Sequence, residues 1–397
     1  MSQLPSHLNV PENIIYELVL NSDIKAAIKI LTKNKSLLEL AKTPHLLNNL
    51  ADVHGLPYSE SLTELADYSV MDPMELLNEA AKDGDLRVAL YIIDSASITD
   101  ELINKALLTA SGYGNLNIVN MLIEVGATSY NEALKEAAMY GYLDVVNRLI
   151  EVASDYNTAL KLAARYNHLD VVSKLIDAGA TDWCMALSFA SERGHLDVVE
   201  KLLEIADDVS DIGDSMIWAS ESGYLDIVNV LIKSGASAYE DSVEYAAAEG
   251  HLDVVNMLLE LSDLHIEADD GTYSRALERA VENGHLNVVN RLIEVGVKDI
   301  NSRAVDDAIS RGHPVIVNKL IESGFSSYDD ALLKVAKHGR VDMVDMLIDA
   351  GARNYEASID VSRNSYHNST AEAIVDARYR KELENRQAIK GKHLMSS

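Results

Sequence analysis

The stretch Ala133-Leu-Lys-Glu-Ala-Ala-Met-Tyr-Gly-Tyr-Leu-Asp-Val-Val-Asn-Arg-Leu-Ile150 contains both halves of a helix–turn–helix unit. In its second half, Leu143, Val145, Val146, Leu149 and Ile150 recur at the spacing that places them on one face of an amphipathic helix. Asp144 falls in the first turn of that helix, where a carboxylate faces the positive helix end. The first half is alanine-rich on one face, so a neighbouring helix can approach closely. Gly141 separates the two. A helix ends readily on a left-handed residue, a conformation glycine adopts without a steric penalty.

Both halves recur along the chain. The second returns as Gly194-His-Leu-Asp-Val-Val-Glu-Lys-Leu-Leu203 and Gly250-His-Leu-Asp-Val-Val-Asn-Met-Leu-Leu259, with related phrases from Gly84, Gly114, Asn167, Gly223, Gly284, Gly312 and Gly339. The first returns as Ala159-Leu-Lys-Leu-Ala-Ala164, Ala186-Leu-Ser-Phe-Ala-Ser191 and Ala331-Leu-Leu-Lys-Val-Ala336. Gly126-Ala127, Gly179-Ala180, Gly235-Ala236 and Gly351-Ala352 close the second helix. Asn131, Asn157, Ser274 and Asp329 then stand where the N-cap of the next helix is expected. The ten copies start 26 to 34 residues apart, most often 27. A fixed period of this size predicts a repeat array. A helix pair that cannot shield its own apolar face is covered by the next pair.

The composite phrase Ala-Leu-x-x-Ala-Ala-x-x-Gly-His-Leu-Asp-Val-Val-x-x-Leu-Ile-x-x-Gly-Ala resembles the ankyrin repeat, over roughly residues 72–360. The resemblance implies an all-α fold, an ankyrin-type helical solenoid of about ten helix–turn–helix repeats with helical caps. It also implies a protein–protein interaction scaffold rather than an enzyme. Ankyrin repeats usually run about 33 residues, with a Thr-Pro-Leu-His turn and a projecting β-hairpin finger. Here the turn is missing and the fingers are trimmed, except near Asp269-Asp270-Gly271-Thr272, which resembles the usual finger. Short-fingered arrays of this kind are similar to those of giant viruses of amoebae.

The ends depart from the period, which divides the chain into an N-terminal helical segment (1–70), the array (71–360), and a C-terminal capping helix with a mobile tail (361–397). The opening Val10-Pro11-x-x-Ile14-Ile15-x-x-Leu18-Val19, with Asp23-Ile24, Leu31 and Lys33-Asn34-Lys35, resembles an F-box. That resemblance implies a substrate receptor that docks through residues 10–50 onto the adaptor of a cullin-RING ubiquitin ligase. The alternative is a plain helical cap over the first repeat. From Ala371 to Lys390 alternating charges predict a solvated terminal helix.

Composition narrows the partners. The 397 residues carry 34 Lys and Arg against 63 Asp and Glu, a net charge of −29. Such a surface repels phosphate backbones, which argues against nucleic-acid binding. A basic or mixed-charge protein fits better, although acidity also serves solubility. No apolar run approaches the roughly 20 residues a membrane helix needs, and the N-terminus has no secretory pattern. Cys184 is the only cysteine, which suits a reducing compartment. The expectation is a monomer in the cytoplasm, that of the host cell if the protein is viral.

No catalytic constellation emerges. His168, His195, His251, His285 and His313 recur at one repeat position, and stacked helices lie roughly 8–10 Å apart. A shared zinc needs donor atoms within about 2 Å of the metal, so each histidine is expected to bond local backbone in the inter-helix turn. Asp170, Asp197 and Asp253 belong to the same repeat grammar, and Cys184 reads as a packed thiol. Neither a Gly-x-x-x-x-Gly-Lys loop nor His-Glu-x-x-His occurs. No cofactor or metal is expected. The aromatic series Tyr130, Tyr156, Trp183, Tyr239, Tyr273, Tyr328 and Tyr355, just before each first helix, reads as packing where the Thr-Pro-Leu-His turn would sit.

Recognition is expected at positions the repeat grammar leaves free, which the ankyrin resemblance places along the concave face of the stack. Five residues before the turn, the series runs Thr109, Glu136, Leu162, Phe189, Trp218, Tyr245, Arg279, Asp307 and Lys334. Leu162, Phe189, Trp218 and Tyr245 form an apolar and aromatic run, flanked before the turn by Tyr140, Tyr166, Arg193 and Glu221. Aromatic residues beside an arginine are the composition of binding hot spots. The competing reading places large residues there as part of the core.

Overall fold

Each amphipathic phrase folds as a helix whose apolar side is covered by the adjoining pair. The computed structural model describes residues 73–95, 98–206, 212–262, 273–297 and 302–395. The F-box-like segment and the 269–272 finger lie outside the described residues. Among those described there are twenty-two α-helices and no strand. They fall into two units, one ending at Trp183 and the other beginning at Cys184, each a stack of helix pairs.

In the first unit the pairs are α1 and α2 (Pro73–Asp83, Leu86–Ser95), α3 and α4 (Asp100–Gly112, Leu116–Glu124), α5 and α6 (Tyr130–Tyr140, Leu143–Ile150), and α7 and α8 (Asn157–Arg165, Leu169–Asp177). First helices pack on first helices and second on second. Val145, Val146 and Leu149 of α6 lose all solvent exposure, which stabilises by roughly 1.5–3 kcal/mol for each large side chain. Ala133, Ala137 and Ala138 of α5 are buried too, and their small side chains let the first helices approach. Only four to six residues join a second helix to the next first helix where that loop is described, too few for a finger.

The second unit continues with α9 and α10 (Trp183–Arg193, of which Cys184–Arg193 belong here, and Leu196–Leu203), α11 and α12 (Gly213–Glu221, Leu225–Lys233), and α13 and α14 (Tyr239–Glu249, Leu252–Ser262). Then come α15 and α16 (Ser274–Asn283, Leu286–Glu294), α17 and α18 (Ser302–Arg311, Pro314–Glu322), and α19 and α20 (Tyr328–His338, Val344–Ala350). One more pair follows, α21 and α22 (Tyr355–Asn364, Asn368–Met395). The terminal helix expected from Ala371 thus starts earlier, as the second member of a pair. Tyr366 takes the left-handed turn position at φ 63°, and His367 sits against Gly339 as the repeat histidines sit against theirs. Ala371, Ile374 and Ala377 bury one face of α22. Ion pairs from Arg380 to Asp345 (2.7 Å) and Lys381 to Asp349 (2.6 Å) flank it.

Two expectations are corrected, and both corrections have the same cause. Three of the repeat histidines, His168, His285 and His313, bond backbone of the preceding pair rather than of their own turn. His168 Nε2 lies 3.0 Å from Met139 O, His285 Nε2 3.0 Å from Ala248 O, and His313 Nε2 3.3 Å from Glu282 O. A carbonyl oxygen only accepts, so Nε2 carries the proton. In the same position Arg340 donates from Nη2 to Ser310 O (2.6 Å). The residues placed at the N-cap likewise do not cap. Helices α5, α7 and α19 start from Ser129, Tyr156 and Ser327, none with a side-chain cap bond. Asn131 Oδ1 instead accepts from Ser154 N (2.9 Å) and Asp155 N (3.2 Å), in the loop of the next pair. Asn157 does the same with Thr181 N and Asp182 N, and Asp329 with Arg353 N and Asn354 N. Ser274, too short for this reach, leaves its buried hydroxyl without a partner among the described residues.

Several serines occupy alanine slots at a cost. Ser220 and Ser242 are fully buried, and neither hydroxyl has a hydrogen-bond partner among the described residues. A buried, unsatisfied polar group costs about 1–3 kcal/mol. Ser220→Ala and Ser242→Ala are therefore each expected to stabilise the second unit by about 1 kcal/mol, read as a higher urea midpoint. An unchanged or lower midpoint would mean the hydroxyls are satisfied in solution.

Candidate protein-binding site

From Tyr130 to His338 the first helix of each pair buries four residues in a fixed pattern, and its remaining positions are free to vary. In α11 the buried set is Ser215, Met216, Ala219 and Ser220; in α13 it is Ser242, Val243, Ala246 and Ala247. Trp218 and Tyr245 each precede the second buried pair, on the rim of the packed face. There they stay 45% and 43% exposed, so neither ring belongs to the core. Phe189, at the same position of α9, is half-buried. Helices α9 and α11 meet through the hydroxyls of Ser188 and Ser215, 3.1 Å apart, and α13 packs on α11.

One helical turn beyond each ring stands an acid: Glu192 after Phe189, Glu221 after Trp218, Glu249 after Tyr245. Residues three or four apart share a helix face, so rings and acids line one side of the second unit. Burial first, then the neighbouring charges of Glu249 and Glu192, holds the Glu221 carboxyl above the ordinary carboxylate range. Arg193 is exposed and pairs with Glu192 at 3.5 Å. Among the described residues no basic side chain pairs with Glu221 or Glu249. Further along the same column the character changes. Arg279 pairs with Glu244 (3.5 Å) and Glu282 (3.6 Å), and Lys334 with Asp306.

The other expected site residues lie in the first unit. Leu162 is half-buried on α7, while Tyr140 and Tyr166 are 52% and 44% exposed at the ends of α5 and α7. Tyr113, passed over in the sequence, stands in the same register one residue before the turn and is equally open at 52%. The spacing from Gly114 was the available signal. Tyr113, Tyr140 and Tyr166 thus form a tyrosine column in the first unit. The rings of Tyr140 and Tyr142 approach to 6.5 Å, tilted by 37°.

The second aromatic series has structural surroundings. Tyr156 donates its hydroxyl to Ile150 O and Ala153 O at 3.2 Å, and Tyr273 is buried. Tyr328 meets Phe325 edge-on at 6.2 Å, and Arg378 lies 5.7 Å above the Tyr355 ring. Cys184 is half-buried. Among the described residues no three His, Cys, Asp or Glu side chains converge as a metal site, and no helix is long and apolar enough to cross a membrane.

Comparison with known proteins matches this architecture. The chain is 30% identical over 130 residues to R791 of Acanthamoeba polyphaga mimivirus, a protein named for its ankyrin repeats. The match covers 30% of this chain and 44% of that protein, so the chain spans less than half the length of its relative. The family model for ankyrin repeats (3 copies) matches residues 77–159, 134–212, 160–242, 216–304 and 243–328. Those matches together cover more than half of the chain, and their helix pairs are the ones described above: the chain belongs to the ankyrin repeat family.

Proposed function

We propose that the protein holds a partner protein against the exposed side of its first helices. In the second unit the contact residues are Phe189, Arg193, Trp218, Glu221 and Tyr245. In the first unit they are Tyr140, Leu162 and Tyr166, joined by Tyr113. Ankyrin repeats are interaction modules, and the observation that carries this reading is the exposure of Trp218 and Tyr245 at the rim of the packed face. Large aromatic rings left half in water are the residues from which interfaces draw most of their affinity. As a scaffold the chain would act as a monomer in a reducing compartment, the host cytoplasm if it is viral.

Capturing partners from the native cell with the full chain, and repeating the capture with Trp218→Ala, tests this. A partner that is bound by the parent and lost from the variant supports the reading. A partner retained undiminished by Trp218→Ala and Tyr245→Ala together would remove it.

The resemblance of residues 10–50 to an F-box supports a second reading, a receptor that brings the bound partner to a cullin-RING ubiquitin ligase. Its mark would be ligase adaptor and cullin captured with the full chain and absent after deletion of residues 1–70. Capture of the partner without either protein would leave only the scaffold.

A further inference from the structure

The second unit repeats one device on three successive helices. An aromatic ring stands at the rim of the packed face, and a carboxylate follows one turn later: Phe189 with Glu192, Trp218 with Glu221, Tyr245 with Glu249. A ring face attracts a cation through its quadrupole, and a carboxylate within one helical turn adds a charge-assisted acceptor for the same group. The three are not equally open: Glu192 already pairs with Arg193 at 3.5 Å, and Phe189 is half-buried. Beyond Tyr245 the acids Glu244 and Glu282 are already occupied by Arg275, Arg279 and Arg311. Glu221 and Glu249 have no cation of their own among the described residues. The Glu221 carboxyl is held up by burial and by its two acidic neighbours, a field that a bound cation would relieve. The whole chain, at −29, draws basic segments toward it.

We infer that this face takes an extended, polyproline-II-like basic segment of the partner protein, with one lysine or arginine lying over Trp218 and against Glu221 and another over Tyr245 and against Glu249. The reading rests on the partner-binding role proposed above and names the chemistry of the partner. Spacing sharpens it. Packed helices lie roughly 8–10 Å apart, and a polyproline-II chain advances about 3.1 Å per residue and presents the same face at every third one. Basic residues at about every third position of the segment therefore fall in step with the helices.

Fluorescein-labelled peptides of about nine residues, titrated into the full chain and read by anisotropy, test the inference. One carries arginine at every third position between Gly and Ser, one carries aspartate at those positions, and one has the same arginines clustered at one end. The spaced arginine peptide is expected to bind, the clustered one more weakly, and the aspartate peptide not at all. Trp218→Ala should weaken the spaced peptide by about tenfold. Glu221→Gln, which keeps the shape and removes the charge, should weaken it about fivefold and flatten its salt dependence. Glu124→Gln, an exposed acid of the first unit, should change nothing. Trp218→Phe, with circular dichroism of every variant, separates loss of the ring from loss of the fold.

Equal binding of the aspartate peptide, or indifference to both Trp218→Ala and Glu221→Gln, overturns the inference; in the latter case binding would reflect net charge alone. A captured partner that depends on Trp218 but binds through an acidic or uncharged segment also overturns it, yet leaves the scaffold reading standing. A partner that ignores Trp218 removes the scaffold reading itself.

Discussion

Gly141→Ala is expected to destabilise the first unit by about 2–4 kcal/mol, and about half of that loss should disappear in a His168→Ala background. Two costs combine at this glycine. It holds φ 78° and ψ 23°, a left-handed conformation that costs an L-residue about 1–2 kcal/mol. A Cβ there would also stand 2.3 Å from Nδ1 of His168 and 2.8 Å from its Cγ. The ring cannot simply swing aside, because its Nε2–H is bonded to Met139 O at 3.0 Å. Removing the ring relieves the collision and leaves only the backbone term. A double-mutant cycle measured by urea denaturation should therefore show a coupling of about 1–2 kcal/mol. Equal costs in the two backgrounds would mean the ring is not the obstacle. Gly250, with His285 at 2.4 Å from the same point, should repeat the result in the second unit.

Trp218→Ala is expected to lower the affinity for the captured partner by more than about tenfold, or at least 1.4 kcal/mol, with helicity unchanged. The size follows from what a tryptophan contributes at the centre of a contact, and the intact fold follows from where this one sits. Its helix is anchored by Ser215, Met216, Ala219 and Ser220, all fully buried, and the substitution touches none of them. Isothermal titration supplies the affinity and far-UV circular dichroism the helicity. If the variant loses helical signal or melts early, the ring supports the stack and the binding assignment fails. Tyr245→Ala should weaken binding in the same direction by a smaller amount, because a phenol ring buries less area on contact than an indole.

The helix pairs were legible because each is an amphipathic pattern written within about 30 neighbouring residues, punctuated by glycine at the turn. The last pair escaped for the same reason. Tyr366 stands where the glycine should be, and Asn368-Ser-Thr-Ala-Glu-Ala-Ile374 has lost the Leu-Asp-Val-Val phrase. What periodicity does not convey is the partner of a side chain in the neighbouring copy. Read within a single unit, His168 and Asn131 belong to their own turns, which offer them a carbonyl or a free N–H. Both reach across to an adjoining pair instead, one backward to Met139 and the other forward to Ser154 and Asp155.

The candidate site divides in the same way. That the position five residues before the turn varies freely, and is aromatic from Phe189 to Tyr245, could be read directly. Whether those rings are core or surface could not, since an apolar residue at the rim of a buried face satisfies either pattern. The exposure of Trp218 and Tyr245, and the absence of a cation beside Glu221 and Glu249 among the described residues, depend on how closely the alanine faces let successive helices approach. The order of residues along this chain determined its helices, their turns and their repetition, because those arise from interactions between residues near in sequence. Only the packing of one copy on another decided which side chains were consumed in joining the copies and which were left facing water.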